Sequence, residues 1–321
     1  GHRLLSTRTR PMCTSMCTVT VLPSSQGLLI TMNRDEARSR VEDGAIEAAS
    51  SAQLNSWYPV DKESGGTWVG VNNAGIVAML LNRYQEQNPV ASHSRGELVP
   101  AILATKNSKE LTLLAAQLNW QNYAPCDVLV FDRHRWTHIC WNGQGYNLLN
   151  HDYVTPLLRT SSSEDLDRTR QWRLHAFSRF LDLQSTGPEA VLNFHLSPCA
   201  HDPSIGVNMA RPDRHTKSIT QIQLSKGLVQ ARYFSQQALT AGPDTQQWDI
   251  TWPIWHHWLR CYFRRPYCYK LLNGIIICII CCALTGSVRN RRRTPVGDDS
   301  ARFFDRPDLY YRLAIRPPPR P

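Results

Sequence analysis

Hydrophobic and β-branched residues alternate with polar ones over Cys17–Leu22 (CTVTVL), the period of a β-strand. Pro23–Gly27 reads as a turn and Leu28–Met32 as a second strand. The polar run Asn33-Arg34-Asp35-Glu36 ends that strand, so the pair reads as a hairpin. Gly65-Gly66 leads through Thr67-Trp68-Val69-Gly70-Val71 into a strand, Asn72-Asn73-Ala74-Gly75 turns the chain, and the apolar strand Ile76–Leu81 stops at Asn82-Arg83. Ser94, with Glu97 three residues on, caps a helix running to Ala104, and Ser108–Leu118 is a second. Asp127–Phe131 and Trp136–Trp141 are strands. Helical spacing returns over Glu164–Leu183, with Leu166, Trp172, Leu174, Phe177, Phe180 and Leu181 as its apolar positions. Gly187–Leu196 is a shorter helix with Pro188 at its start, and Ser218–Leu224 with Leu228–Phe234 makes a last hairpin around Lys226-Gly227. Strands, then helices, then strands predict an α+β fold with sheets stacked between helix layers.

Composition sharpens this picture in one place. Of 321 residues, 42% are hydrophobic and 19% charged, enough for a packed core, and the net charge is +10. That charge sits on the flanks. Residues 17–240 hold 20 basic and 20 acidic side chains, residues 1–16 add +3, and residues 241–321 add 13 basic against 6 acidic, or +7. A neutral middle lacks the clustered Lys and Arg that phosphate backbones require, so nucleic acid is excluded as a partner. The ten cysteines show neither a CxxC pair with a His partner nor the spacing of a secreted disulfide scaffold. Reduced, intracellular thiols and no metal are the expectation.

The ends read differently from the middle. GHRLLSTRTRP is basic without an apolar stretch, so it is not a secretory signal. It is either a short organelle-targeting segment or an upstream extension before a start at Met12 or Met16. Residues 241–270 form a Trp/Arg-rich linker containing Trp252, Trp255 and Trp258. Residues 271–288 carry the apolar run LLNGIIICIICCAL, shorter than the roughly 20 residues of a spanning helix. Arg289, Arg291, Arg292 and Arg293 follow it, as membrane-interface anchors would. Membrane contact is expected only through 271–288, and a non-native extension is the other reading. Residues 289–321 are basic, Pro-rich and disordered by composition.

Cys17 follows Met16, and an initiator Met is removed before a small residue. The exposed α-amine, with an ordinary pKa near 8, would sit beside the thiol as a built-in base. Arg34 and Asp35 end the partner strand, close to Cys17 in a hairpin. Arg34 is placed to favour a thiolate and Asp35 to hold the ammonium. Asn82, closing an apolar strand, is a candidate oxyanion donor. The plainer readings stand beside these: Cys17 as a small buried hydrophobe, and Arg34 with Asp35 as a structural ion pair at a turn.

These residues also carry a resemblance. M-C-T-V at 16–19, N-R-D-E at 33–36, G-G-T-W-V-G-V at 65–71, L-N-R at 81–83 and S-R-G-E-L-V at 94–99 together resemble the NRDE family, which includes the Transport and Golgi Organisation 2 proteins. The match in order and spacing runs from Cys17 to about Phe234. The resemblance implies a four-layer αββα sandwich of the N-terminal-nucleophile hydrolase type spanning 17–240, with a non-family C-terminal tail. It implies Cys17 as nucleophile, Arg34 and Asp35 as its partners, and Asn82 as oxyanion donor. One departure matters: sixteen residues precede Cys17, so its nitrogen is a peptide nitrogen unless translation starts at Met16 or a precursor is cleaved. Met12-Cys13 is a competing start, but Cys13 does not open the strand.

Two functions follow as expectations. One is a cysteine amide hydrolase acting on a small amide or acyl substrate without a cofactor. The other, implied by the resemblance, is a non-enzymatic factor in haem or lipid trafficking or secretory organisation, with haem as a carried ligand. The expected location is cytoplasmic, with membrane attachment or an organelle as alternatives. His195 and His201, flanking Pro198-Cys199, read as loop histidines rather than metal or haem ligands. His215 either lines the pocket or lies on a solvated turn, and Trp68 is pocket wall or core.

Overall fold

A computed structural model describes residues 16–51, 54–133, 135–152, 154–183, 186–241 and 247–253. The possible start at Met12, the apolar segment 271–288 and the tail 289–321 lie outside the described residues. Among the described residues, no helix is long and apolar enough to cross a membrane.

Two antiparallel sheets stack face to face. The first has the order β10-β1-β2-β11-β12-β13, built from β10 (Leu157–Thr160), β1 (Met16–Ser24), β2 (Gly27–Ala37), β11 (Arg214–Ser225), β12 (Leu228–Ser235) and β13 (Gln247–Pro253). The second runs β3-β4-β5-β6-β7-β8-β9 in sequence order: β3 (Glu42–Ser51), β4 (Leu54–Asp61), β5 (Val69–Asn72), β6 (Val77–Asn82), β7 (Cys126–Phe131), β8 (Trp136–Trp141) and β9 (Tyr146–His151). Alternation sorts the side chains. Val19, Val21, Ile30, Met32, Ile222 and Leu224 of the first sheet meet Trp57, Val71, Val77, Met79, Leu129 and Phe131 of the second in the central core. The intervening positions serve the outer layers. Ala78, Leu80, Val128 and Val130 pack under α1 (Leu98–Leu103) and α2 (Ser108–Gln117). Leu22, Leu29 and Leu158 pack under α3 (Leu166–Asp182) and α4 (Pro188–His195). The layer order is therefore αββα. A short α5 (Gln236–Ala241) precedes β13.

Several expectations are corrected. β2 does not stop at Met32 but runs through Asn33, Arg34, Asp35 and Glu36, because both its faces are covered and every interior position is buried. The first helix begins as a 3-10 turn, Arg95–Glu97, with the Ser94 hydroxyl accepting from Gly96 N. Asn107 caps α2, and Asp165 caps α3 from a left-handed conformation. The inward stripe of α3 is Thr169, Arg173, Phe177 and Phe180, while Leu174 is exposed. Strand β13 adds a sixth strand past residue 240: Ile250 is buried against β12 and Trp252 packs on the central core, so the sheet extends into the segment read as a linker.

Two glycines join the second sheet to the 3-10 turn. A Cβ on Gly66 would lie 2.8 Å from the Cα of Gly96, and Thr67 N–H donates to Gly96 O at 3.1 Å. Trp68 follows directly after this backbone-to-backbone approach.

Candidate active site

Cys17 and Arg34 are directly opposed across the β1–β2 ladder, so their side chains share the face turned toward the second sheet. Cys17 is 2% exposed and belongs to the central core. Arg34 is held on three sides by acids: Nη1 donates to Glu42 at 2.6 Å, and Nη2 to Asp61 at 2.5 Å and Glu36 at 3.4 Å. Its Cζ lies 4.2 Å from the Trp68 ring centroid, a cation–π contact. Burial alone would lower the pKa of this guanidinium, but Glu42, Glu36 and Asp61 outweigh it and hold the pKa above its ordinary value. The cluster continues outward. Tyr233 Oη and Ser218 Oγ donate to Glu42, and Arg40 pairs with Asp61 at 2.7 Å. Arg40 and Arg34 hold the Asp61 carboxyl below its usual range against the opposing effect of burial. Three carboxylates thus offset the field that Arg34 presents to Cys17.

Asn33 and Asp35 point the other way, into the layer between the first sheet and α3/α4. Asn33 donates to the carbonyls of His195 (2.9 Å) and Val207 (2.8 Å) and bonds His195 Nδ1 at 2.6 Å. His195 Nε2 meets Thr20 Oγ1 at 2.7 Å; burial, then Arg173, pushes its pKa down to about 3. Asp35 accepts from Thr216 Oγ1 at 2.6 Å and faces the fully buried Arg173 at 3.5 Å. Burial pushes its carboxyl up to about 6, against Arg173 and Thr216. The expected contact between Asp35 and the nitrogen of Cys17 is not formed. Residue 35 alternates to the opposite face from residues 17 and 34, and the Cys17 amide instead donates to Ser161 Oγ at 3.1 Å, on the β10 side. Asn82 is likewise displaced. It follows Ala78 and Leu80 in the alternation of β6, on the helix-facing side, and its Nδ2 donates to Tyr84 Oη at 2.8 Å. The strand therefore does not deliver its amide to the face of the thiol.

The structure brings together residues that pattern reading missed. Glu42 and Asp61 come from strands that were not anticipated, and Ser161 follows a four-residue strand. Arg173 sits inside α3, where a charged residue reads as solvent-facing. Its Nε and Nη2 donate to the carbonyls of Ile205 and Gly206, and its Nη1 to Thr18 and Thr160. His195 is buried, not a loop residue, and His215 is buried at the start of β11, bonded to Gln236 at 2.6 Å. Trp68 is both core and lid of Arg34. His201 is exposed. Among the described residues, no group of three His, Cys, Asp or Glu side chains is arranged to hold a metal ion.

An αββα sandwich with a buried cysteine at the second position of its first strand and an arginine paired across the hairpin has the layer order of the N-terminal-nucleophile hydrolase fold. The sequence profile of the family Transport and Golgi organisation 2 matches residues 12–178, more than half of the chain, and the protein belongs to that family. It is similar to the human Transport and Golgi organization protein 2 homolog, with 34% identity over 79 residues, 24% of this chain and 29% of that protein's own length. Among solved structures it is similar to a cysteine-to-alanine mutant of conjugated bile acid hydrolase from Clostridium perfringens (11% identity, 73% of this chain and 92% of the other, TM-score 0.41). An arginine-to-leucine variant of that hydrolase matches with the same identity and coverage and a TM-score of 0.38.

Proposed function

We propose that this protein is a cysteine amide hydrolase whose nucleophile is Cys17 once that residue becomes the chain N-terminus. One observation carries the reading: Cys17, the second residue of β1, has its thiol side chain opposite Arg34 and its nitrogen turned toward β10, so nucleophile and base leave one residue in fixed directions. Because Glu36, Glu42 and Asp61 offset Arg34, the thiol is activated at the moment of attack, and a local base is required. The free amine supplies it. The amine takes the thiol proton as sulfur bonds to the carbonyl carbon. The C–N bond then breaks, the proton passes to the leaving nitrogen, and water releases the acyl group from the thioester. The substrate class is a small amide or acyl compound, and no cofactor is needed.

The test is iodoacetamide labelling with peptide mapping of the full chain processed to begin at Cys17, together with the intact mass of the natural protein. Selective labelling at Cys17 and a natural mass starting there support the reading. A retained extension with an unreactive Cys17 overturns it. A second reading, a non-enzymatic haem or lipid trafficking or secretory-organisation factor on the same fold, is favoured by the burial of Cys17 at 2% exposure. It is supported if haem binding is measurable and unchanged in Cys17→Ala.

A further inference from the structure

Resting on the hydrolase reading, we infer that Ser161 is the positioning residue for the base: its hydroxyl holds the α-amine of Cys17, the place the sequence assigns to Asp35. Cys17 N–H donates to Ser161 Oγ at 3.1 Å. The return contacts fix the frame, since Ser161 N–H donates to Cys17 O at 3.0 Å and the Thr160 hydroxyl donates to the same oxygen at 3.1 Å. Ser161 is 5% exposed. Cys17 is thus held by its own carbonyl on the β10 side and by β2 on the other. Removing residue 16 therefore leaves the nitrogen where it is and only changes its chemistry from amide to amine.

Three properties follow. With one N–H fixed on Ser161 Oγ, rotation about the N–Cα bond is stopped, and the lone pair of the neutral amine occupies a defined direction for receiving the thiol proton. As an acceptor, Ser161 favours the ammonium over the amine, which raises the pKa of the base. A serine does this without a charge. A carboxylate at the same place would bind the ammonium tightly enough to make it a poorer proton donor to the leaving nitrogen. The strand pairing shows why Asp35 cannot do the same job: its side chain is on the far face of β2, committed to Thr216 and Arg173.

The experiment uses the full chain processed to begin at Cys17, as wild type, Ser161→Ala and Ser161→Thr. The α-amine is titrated by competitive acetic anhydride acylation against pH, and the thiol by iodoacetamide on the same samples. Loss of one hydrogen bond to a charged donor is expected to lower the amine midpoint by about one pH unit in Ser161→Ala, with Ser161→Thr restoring it. An amine midpoint unchanged in Ser161→Ala, at wild-type thermal stability, overturns the role of Ser161. A wild-type Cys17 that iodoacetamide does not label selectively overturns the hydrolase reading instead, and the acylation midpoint still decides Ser161. If Ser161→Ala does not fold, Ser161→Cys, which is a weaker acceptor of the same shape, carries the same expectation of a lowered midpoint, and an unchanged midpoint there overturns the role of Ser161.

Discussion

Arg34 shows how one residue serves two purposes. It is 3% exposed and the common partner of Glu36, Glu42 and Asp61, which come from β2, β3 and β4. Removing it leaves three carboxylates buried with one fewer cation. Arg34→Ala is expected to lose about 3–5 kcal/mol of stability, read as a lower urea midpoint. Arg34→Lys keeps the charge but cannot span Glu42 and Asp61 together, so it recovers only part of that loss. The residue type was legible in the sequence; its commitments were not, because Glu42 and Asp61 lie 8 and 27 positions away with no spacing rule to connect them. Asp35 was misassigned for a related reason. Adjacent charged residues read as one cluster, whereas a strand sends neighbours to opposite faces.

Among the elements, β2 carries the NRDE motif, and both of its faces are polar networks. On the helix side, Asp35 and His195 respond to acid in opposite senses. The pKa of His195 falls from 6.5 to about 3, so its contribution is present above pH 6.5 and is lost as pH falls toward 3. That of Asp35 rises from 3.8 to about 6, so its contribution is present below pH 3.8 and is lost as pH rises through 6. Between pH 4 and 6 the two slopes, each about 1.4 kcal/mol per pH unit, cancel. Asp35→Asn is therefore expected to lose stability relative to wild type as pH is lowered from 6 to 4, and His195→Gln to gain it. Urea unfolding at several pH values reads both, and parallel curves for Asp35→Asn and wild type would refute the cancellation. Most interior strands were visible as alternating or apolar runs, as were α2, α3 and α4. Three of those missed have identifiable reasons. β3 (EDGAIEAASS) is acidic and rich in Ala, β9 is largely exposed at a sheet edge, and β10 has only four residues. In each, the backbone ladder and not the side-chain pattern makes the strand.

For the whole molecule, the layer order was available from the family resemblance and is present in the packing, but the C-terminal limit was set too early. Trp248, Ile250 and Trp252 alternate along β13, a strand signal hidden in a segment dominated by Trp and Arg. A chain ending at residue 253 is expected to be more stable than one ending at residue 240 by at least about 2 kcal/mol, the scale of burying one Ile side chain such as Ile250 with its neighbours. Comparing thermal midpoints of the two truncations checks this, and equal midpoints would return the boundary to 240.

The touching glycines have a wider effect than their size implies. Gly66 and Gly96 work as a hasp between two segments thirty positions apart: a Cβ on Gly66 would lie 2.8 Å from backbone atoms of Gly96, and one on Gly96 would sit 3.0 Å from Thr67 N. A single added carbon at Gly66 would push the 3-10 turn away from the second sheet, one residue from Thr67 and two from the indole that lies against the Arg34 guanidinium. The injury would begin beside the Trp68–Arg34 contact although every charged group of the cluster had been left untouched.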